Sequence, residues 1–283
     1  MRHVHLLFAC SLLALSCRPK DTLTVSEAED ALIESSTSSQ AESLMANGVE
    51  ISTNFTIGQA VQRAAQELRT FVASQLPCAQ LTLTDATLSI EYGKNPGSCV
   101  YNGHSFGGKH TISVMRNDNA EVLVHHEWVD FNNGKVAVDG KADVTWSLQN
   151  KSRRVVHQIT WTVLTGLYKD RTGTGSGDRA QTALAGGVRE GIRIDGTRAW
   201  DGERGHFSLD INGIELRWID PVPQAGSYVL DTPYGKTLTL EFQRVSASLI
   251  QVTVSGPARS FSFDVSALGQ VSRRSGTATT ISG

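Results

Sequence analysis

The chain has 283 residues, 26 of them Lys or Arg and 28 Asp or Glu, giving a formal net charge of −2. So even a balance, with no compensating block of like charge, excludes a generally basic nucleic-acid binder. Hydrophobic residues at 40% and aromatics at 7% suffice for a packed core, and 26 Gly against 7 Pro suit many strands joined by tight turns.

At the N-terminus Arg2 supplies a positive charge, and Leu6 to Leu15 (LLFACSLLAL) is an apolar core that ends at Ser16-Cys17. This run is shorter than the ~18–20 residues of a membrane helix and has the flanks of a secretory signal. The stretch Leu13-Ala14-Leu15-Ser16-Cys17 resembles the lipobox of bacterial lipoproteins. In that family the Cys becomes the new N-terminus and carries a thioether-linked diacylglycerol and an amide-linked acyl chain. The resemblance implies lipidation at Cys17; ordinary cleavage after Ala14-Leu15-Ser16 would leave Cys17 bare. In these lipoproteins an Asp after the Cys favours the inner membrane, so Arg18 implies the outer membrane. Cys10 leaves with the signal, and Cys78 and Cys99 remain. In an oxidising compartment that pair reads as one disulfide. A two-thiolate metal site is the other reading, but no Cys-x-x-Cys or His-x-x-x-His spacing accompanies the pair.

Residues 18–50 hold seven acids and two bases and differ from the near-neutral body. Ser26 with Glu29 has the form of a capping box and predicts a helix from Glu27, which the SSTSSQ run at 35–40 interrupts. The segment reads as a solvated arm between lipid and body. A second helix is expected over 57–76, where Ile57, Val61, Ala64, Ala65, Leu68, Phe71, Val72 and Leu76 form one stripe, with Thr56 as N-cap and Pro77 as stop.

From Leu81 to Val265 the period changes to two, as in LTLTDATLSIEY, EVLVHHEWVDF, RVVHQITWTVL and KTLTLEFQRV. Asn102-Gly103, Asn133-Gly134, Asn212-Gly213, Asp139-Gly140, Asp195-Gly196 and Asp201-Gly202 predict hairpin turns. The sharpest predicted hairpin joins Phe207–Ile211 to Ile214–Trp218. The Gly-rich run 171–178 reads as a mobile loop. The expected fold is mostly β with an N-terminal helix, a large curved antiparallel meander (half-barrel or two-layer) covered by one amphipathic helix. The divisions are a signal peptide over 1–16, a lipidated tether and acidic arm over 17–50, a β-rich domain over 51–268 and a polar tail over 269–283. All five Trp (Trp128, Trp146, Trp161, Trp200 and Trp218) fall in predicted strands, where such rings more often fill a core than form a ligand box.

Few residues suggest chemistry. Gly103-His104-Ser105-Phe106-Gly107 matches a nucleophile elbow, with Ser105 as the nucleophile. The flanks alternate like strands and do not run strand–turn–helix, so a Gly-rich hairpin fits better. Gly103 to Lys109 nearly spells a phosphate loop, but His110 stands where Ser or Thr must hold Mg²⁺. His125 and His126 are adjacent on a strand and must point to opposite faces. His104 and His110 flank the Gly loop, and His157 and His206 have no acidic companion in their strand patterns. No catalytic residue, metal set or cofactor is nominated.

The lipobox, then LPC…EYG…SCVYNG, DFNNGKVAVDG and GERGHFSLDINGIELRW, resemble uncharacterised β-rich lipoproteins of Gram-negative bacteria. That resemblance implies location and architecture but no reaction. The sequence points to a non-enzymatic envelope lipoprotein, a structural or interaction module held to the membrane by acyl chains on Cys17, facing the periplasm or the surface. A carrier of a hydrophobic ligand between helix and sheet is the alternative, and a hydrolase at Ser105 a remote one.

Overall fold

The computed structural model describes residues 22–52, 60–101, 103–117, 121–147, 149–217, 220–246, 249–266 and 271–280. Two helices, α1 (Val25–Ile51) and α2 (Val61–Gln75), precede the strands. These are β1 (Gln80–Thr84), β2 (Thr87–Glu91), β3 (Val100–Tyr101), β4 (His104–Ser105), β5 (Gly107–Asn117), β6 (Glu121–Asn132), β7 (Val136–Ser147) and β8 (Ser152–Val163). They continue with β9 (Thr172–Leu184), β10 (Gly187–Gly202), β11 (Gly205–Arg217), β12 (Asp220–Asp231), β13 (Thr237–Arg244), β14 (Leu249–Gly256), β15 (Arg259–Ser266) and β16 (Val271–Thr280). All but β3 and β4 form one 14-stranded sheet in chain order, each strand antiparallel to the next. β1 and β16 are its edges, so the sheet is curved but not closed. The expected antiparallel meander is therefore the fold of this chain.

The curvature has a local cause. Gly108, Asp130 and Gly140 on β5–β7, and Gly196, Gly213 and Gly226 on β10–β12, all have positive φ. Ladder register slips beside several of them, at Trp128/Phe131 and at Ile194/Gly196. Each bulge bends its strand and adds twist, so two oblique lines of them fold the sheet into a trough. A Cβ on Gly196 would lie 2.2 Å from the Asp178 carbonyl oxygen, so no other residue fits there. The same geometry corrects three turn expectations. Asp139-Gly140 and Asp195-Gly196 lie inside β7 and β10 opposite bulges on β6 and β11, Asn212-Gly213 is itself the bulge on β11, and the predicted hairpin over 207–218 is one continuous strand as far as Arg217. Asn133-Gly134 does make its turn, while Asn102 and Trp218 lie outside the described residues.

The trough is filled by α1, which corrects the expected solvated arm. Thr24 caps the helix in a true capping box with Glu27, two residues before the expected one. From Val25 to Ile51 only Ser26 and Ser43 are exposed. Ser and Thr are mediocre helix formers, which is why 35–40 reads as a break. Here tertiary packing outweighs propensity. Thr37 donates to the Ile33 carbonyl at 2.9 Å, and small residues let the sheet approach closely. At the other end Gly48 meets Trp128 and Phe131, where an added Cβ would come within 3.0 Å of the indole nitrogen. α2 is the expected amphipathic helix; Ala64, Ala65, Leu68 and Val72 are buried, and it packs on β1, β2 and β5. Thr56 and Ile57 lie outside the described residues.

Two further expectations are corrected. The Gly-rich run is the first half of β9, and part of the polar tail, Val271–Thr280, is β16, paired with β15. Gly173, Gly175 and Gly177 alternate on β9 because large rings from β8 lie across them: a Cβ on Gly173 would fall 2.3 Å from Trp161, and one on Gly177 2.5 Å from His157. Gly173→Val is expected to destabilise by about 1–3 kcal/mol through overpacking. Urea unfolding checks this, and an unchanged midpoint would mean that Trp161 does not cover the strand. The outward face of β8 and β9 carries Arg154, Gln158, Thr160 and Asp178, a surface that hydrocarbon would not accept. No described helix is long and apolar enough to cross a membrane.

Candidate functional site

The polar residues of the trough converge on α1. On its side facing β8–β10, Glu42 pairs with His157 Nε2 at 2.7 Å, and Arg179 Nη2 lies 2.9 Å from the other carboxylate oxygen. All three are buried. Burial alone would raise the Glu42 carboxyl; the charges of Arg179 and His157, with the His157 hydrogen bond, outweigh it and hold it down at about 2. Arg198 joins from β10, donating to Ser39 Oγ from both terminal nitrogens at 3.2 Å and lying over the Trp200 ring. Toward the start of the helix Arg171 and Arg204 approach Glu34, and Lys236 grips Glu27 at 2.6 Å. Toward its end Arg153 holds Glu50 and Gln181. One row of acids on the helix is thus matched, pair by pair, to bases on the sheet.

A second cluster lies at the end of α1. Adjacent His125 and His126 do face opposite ways: His125 meets Asp143 outside at 2.7 Å, and His126 is buried. His126 Nδ1 lies 3.0 Å from His110 Nε2, and its Nε2 lies 3.4 Å from Ser52 Oγ. Trp128 stacks on both imidazoles, and Phe131 lies tilted against His110. Burial pushes His110 down to about 3 and, with the charge of His110, pushes His126 well below the usual histidine range. Ser52 resembles an activated nucleophile only in outline. Its hydroxyl is committed to the Val49 carbonyl at 2.6 Å, and both imidazoles are neutral, fully enclosed and too weakly basic to take its proton. These contacts pack the end of α1 against β5 and β6.

The residues singled out by sequence fall as follows. Cys17 lies outside the described residues. Cys78 and Cys99 are joined in a disulfide with Cα atoms 5.3 Å apart, which ties the end of α2 to the β3–β4 hairpin. Ser105 and His104 are exposed on β4, in a two-residue ladder with β3 and not on a strand–turn–helix elbow. His110 is drawn into the core with His126, away from the exposed His104. His157 and His206 do have acidic companions, contrary to expectation: Glu42 comes from 115 positions away, and Asp201 reaches His206 at 3.0 Å across the β10–β11 turn. The first pairing has no sequence signal, but the second could have been read from its short spacing. Among the described residues no group of three or more metal-binding side chains occurs. A shallow hollow of about 550 Å³ lies on the outer face of β7–β11, lined by Asp143, Gln158, Ser176, Asp178, Thr197 and Asp210, among others.

Comparison with protein-family models, with curated proteins and with solved structures found no match for this chain.

Proposed function

We propose that this chain is a lipid-anchored envelope lipoprotein whose β body is a structural or interaction module with no catalytic site. The reading starts from Leu13–Cys17 and is supported by a disulfide of the kind exported proteins keep. The observation that carries it is where the body begins. Leu23 is buried and donates its backbone N–H to Pro257 at 3.2 Å, while Lys236 Nζ donates to the Thr22 carbonyl at 3.0 Å. A chain spans at most ~3.3–3.6 Å per residue, so the segment from Cys17 to Leu23 holds the body within about 20 Å of its anchor. Acyl chains on Cys17 would seat the body directly on the membrane, not on a long arm. A hydrophobic-ligand carrier is less well supported, because α1 occupies the trough where such a ligand would sit. The outer membrane, as the destination implied by Arg18, is part of the same proposal.

Cys17→Ser in the full-length chain is expected to move the protein from the membrane fraction to the soluble fraction of cells. Unchanged partitioning would refute the anchor.

A further inference from the structure

The chain enters the body at one end of the sheet. Leu23 is held by Pro257 in the β14–β15 turn, and the Thr22 carbonyl by Lys236 in the β12–β13 turn. In a meander alternate turns fall at the same end, and contacts join this set in a row. Pro233 lies close against Gly205 at the β10–β11 turn, and Glu203 of that turn meets Arg171 of the β8–β9 loop at 3.1 Å. The N–H of Leu164 in that loop donates to the Lys135 carbonyl in the β6–β7 turn at 2.7 Å. The segment from Cys17 to Leu23 spans at most about 20 Å, so an anchor on Cys17 lies beside this row of turns.

The β8–β9 loop, residues 164–171, is the longest of them. Within it Leu167 is 90% exposed, more than any other large apolar side chain among the described residues. Slack chain is not the reason. Val163 N–H donates to the Arg171 carbonyl and Asp170 N–H to the Val163 carbonyl, both at 2.8 Å, while Lys169 N–H donates to Gly166 and Arg171 N–H to Tyr168 at 3.2 Å. Tyr168 is half-buried, its ring 4.7 Å from the Arg171 guanidinium. Lys169 follows on the loop and Lys135 sits at its base, both exposed. Arg171, Arg204 and Lys236 face the acids of α1, and Asp170 is the one acid on the loop itself. A leucine held in water by an ordered loop is unfavourable, whereas a bilayer interface accommodates Leu, Tyr and Lys together.

Resting on the lipid-anchor reading, we propose that this end of the trough faces the membrane and that the β8–β9 loop enters the lipid interface, with Leu167 among the acyl chains and Lys135 and Lys169 at anionic phospholipid headgroups. The acyl chains on Cys17 supply the affinity, and the loop sets the orientation. The strands then stand on the bilayer, and the turns of the opposite end, such as that between β7 and β8, lie farthest from it.

Leu167→Cys, and Asn150→Cys in the β7–β8 turn, test this in the full-length chain purified from cell membranes. Each is labelled with an environment-sensitive fluorophore; Cys78 and Cys99 are closed to the label by their disulfide, and Cys17 by its lipid. In vesicles of phosphatidylethanolamine and phosphatidylglycerol, nitroxide-bearing lipids are expected to quench the label at 167 severalfold more than the label at 150, and emission from 167 to shift to the blue. Adding Lys135→Gln and Lys169→Gln is expected to lessen the quenching at 167; no change would overturn the role given to the two lysines. Equal quenching at both positions, or stronger quenching at 150, in a chain that stays with the membrane would overturn the orientation and leave the anchor standing. A blue-shifted label at 167 that nitroxide lipids do not reach would also overturn it, since protein would then cover the loop. Parent chain found in the soluble fraction would overturn anchor and orientation together.

Discussion

Replacing Glu42 by Gln is expected to lower the unfolding free energy by about 3–5 kcal/mol, because it removes one partner of a buried charge pair and leaves the others. The carboxylate faces Arg179 and His157, with Arg198 contributing from further along β10. The substituted amide keeps a hydrogen-bond acceptor, but two buried guanidinium groups remain without their negative charge. Urea unfolding at neutral pH measures the loss. Combining Glu42→Leu with Arg179→Leu should recover part of it, since removing both charges also removes their desolvation penalty. A Glu42→Gln variant as stable as the parent would mean that this row of charges does not hold the helix in place. The pH dependence has a definite sign. The folded-state pKa of Glu42, about 2, lies below its ordinary value of 4.5, so its contribution is full above about pH 4.5 and is lost as pH falls toward 2.

A second acid-sensitive term arises at higher pH from the two enclosed histidines. His110 and His126 are neutral in the folded chain, with His110 at about 3 and His126 also far below 6.5. On acidification the unfolded chain takes up these protons first. Their contribution is therefore complete above about pH 6.5 and drains away as pH falls below it, for His110 toward about 3. Between those limits each such group changes stability by about 1.4 kcal/mol per pH unit. Replacing both by Phe keeps the aromatic packing with Trp128 and Phe131 and is expected to flatten the stability profile between pH 6.5 and 4.5, leaving the Glu42 decline below it. Urea midpoints across that range decide the matter; parallel profiles for parent and double variant would show that the imidazoles are already reached by solvent.

These two sites differ in how far the chain's order of residues reveals them. Adjacent His125 and His126 must point apart in any strand, so one was bound to be inward, and alternation around His110 put it on the inner face as well. What brings the two together is ladder register, Ile112 opposite His126 with His110 diagonal to it, and that depends on a bulge at Val114/Arg116. Glu42 and His157 have no local relation at all. Their pairing exists because α1 lies in the trough, and α1 reads as an arm because its SSTSSQ segment has no apolar stripe. A helix enclosed nearly all round does not need one.

The six Asx-Gly pairs make the same point for the fold. Each marks a place where positive φ is tolerated, which the residues by themselves determine. A hairpin and a bulge both satisfy that local preference, and only the neighbouring strand selects between them. Asn133-Gly134 turns the chain, whereas Asn212-Gly213 sits within β11 beside Arg193 of β10. Glycines 173, 175 and 177 likewise read as a loop, since their flexibility is local and the Trp161 and His157 rings that require them are not. The period-two pattern, the short turns and the two remaining cysteines were enough to determine an antiparallel meander with one disulfide, because these depend on alternation and spacing along the chain. The curl of the sheet, the seating of α1 and the matching of its acids to Arg153, His157, Arg179 and Lys236 were decided only in three dimensions, where burial makes distant charges seek one another.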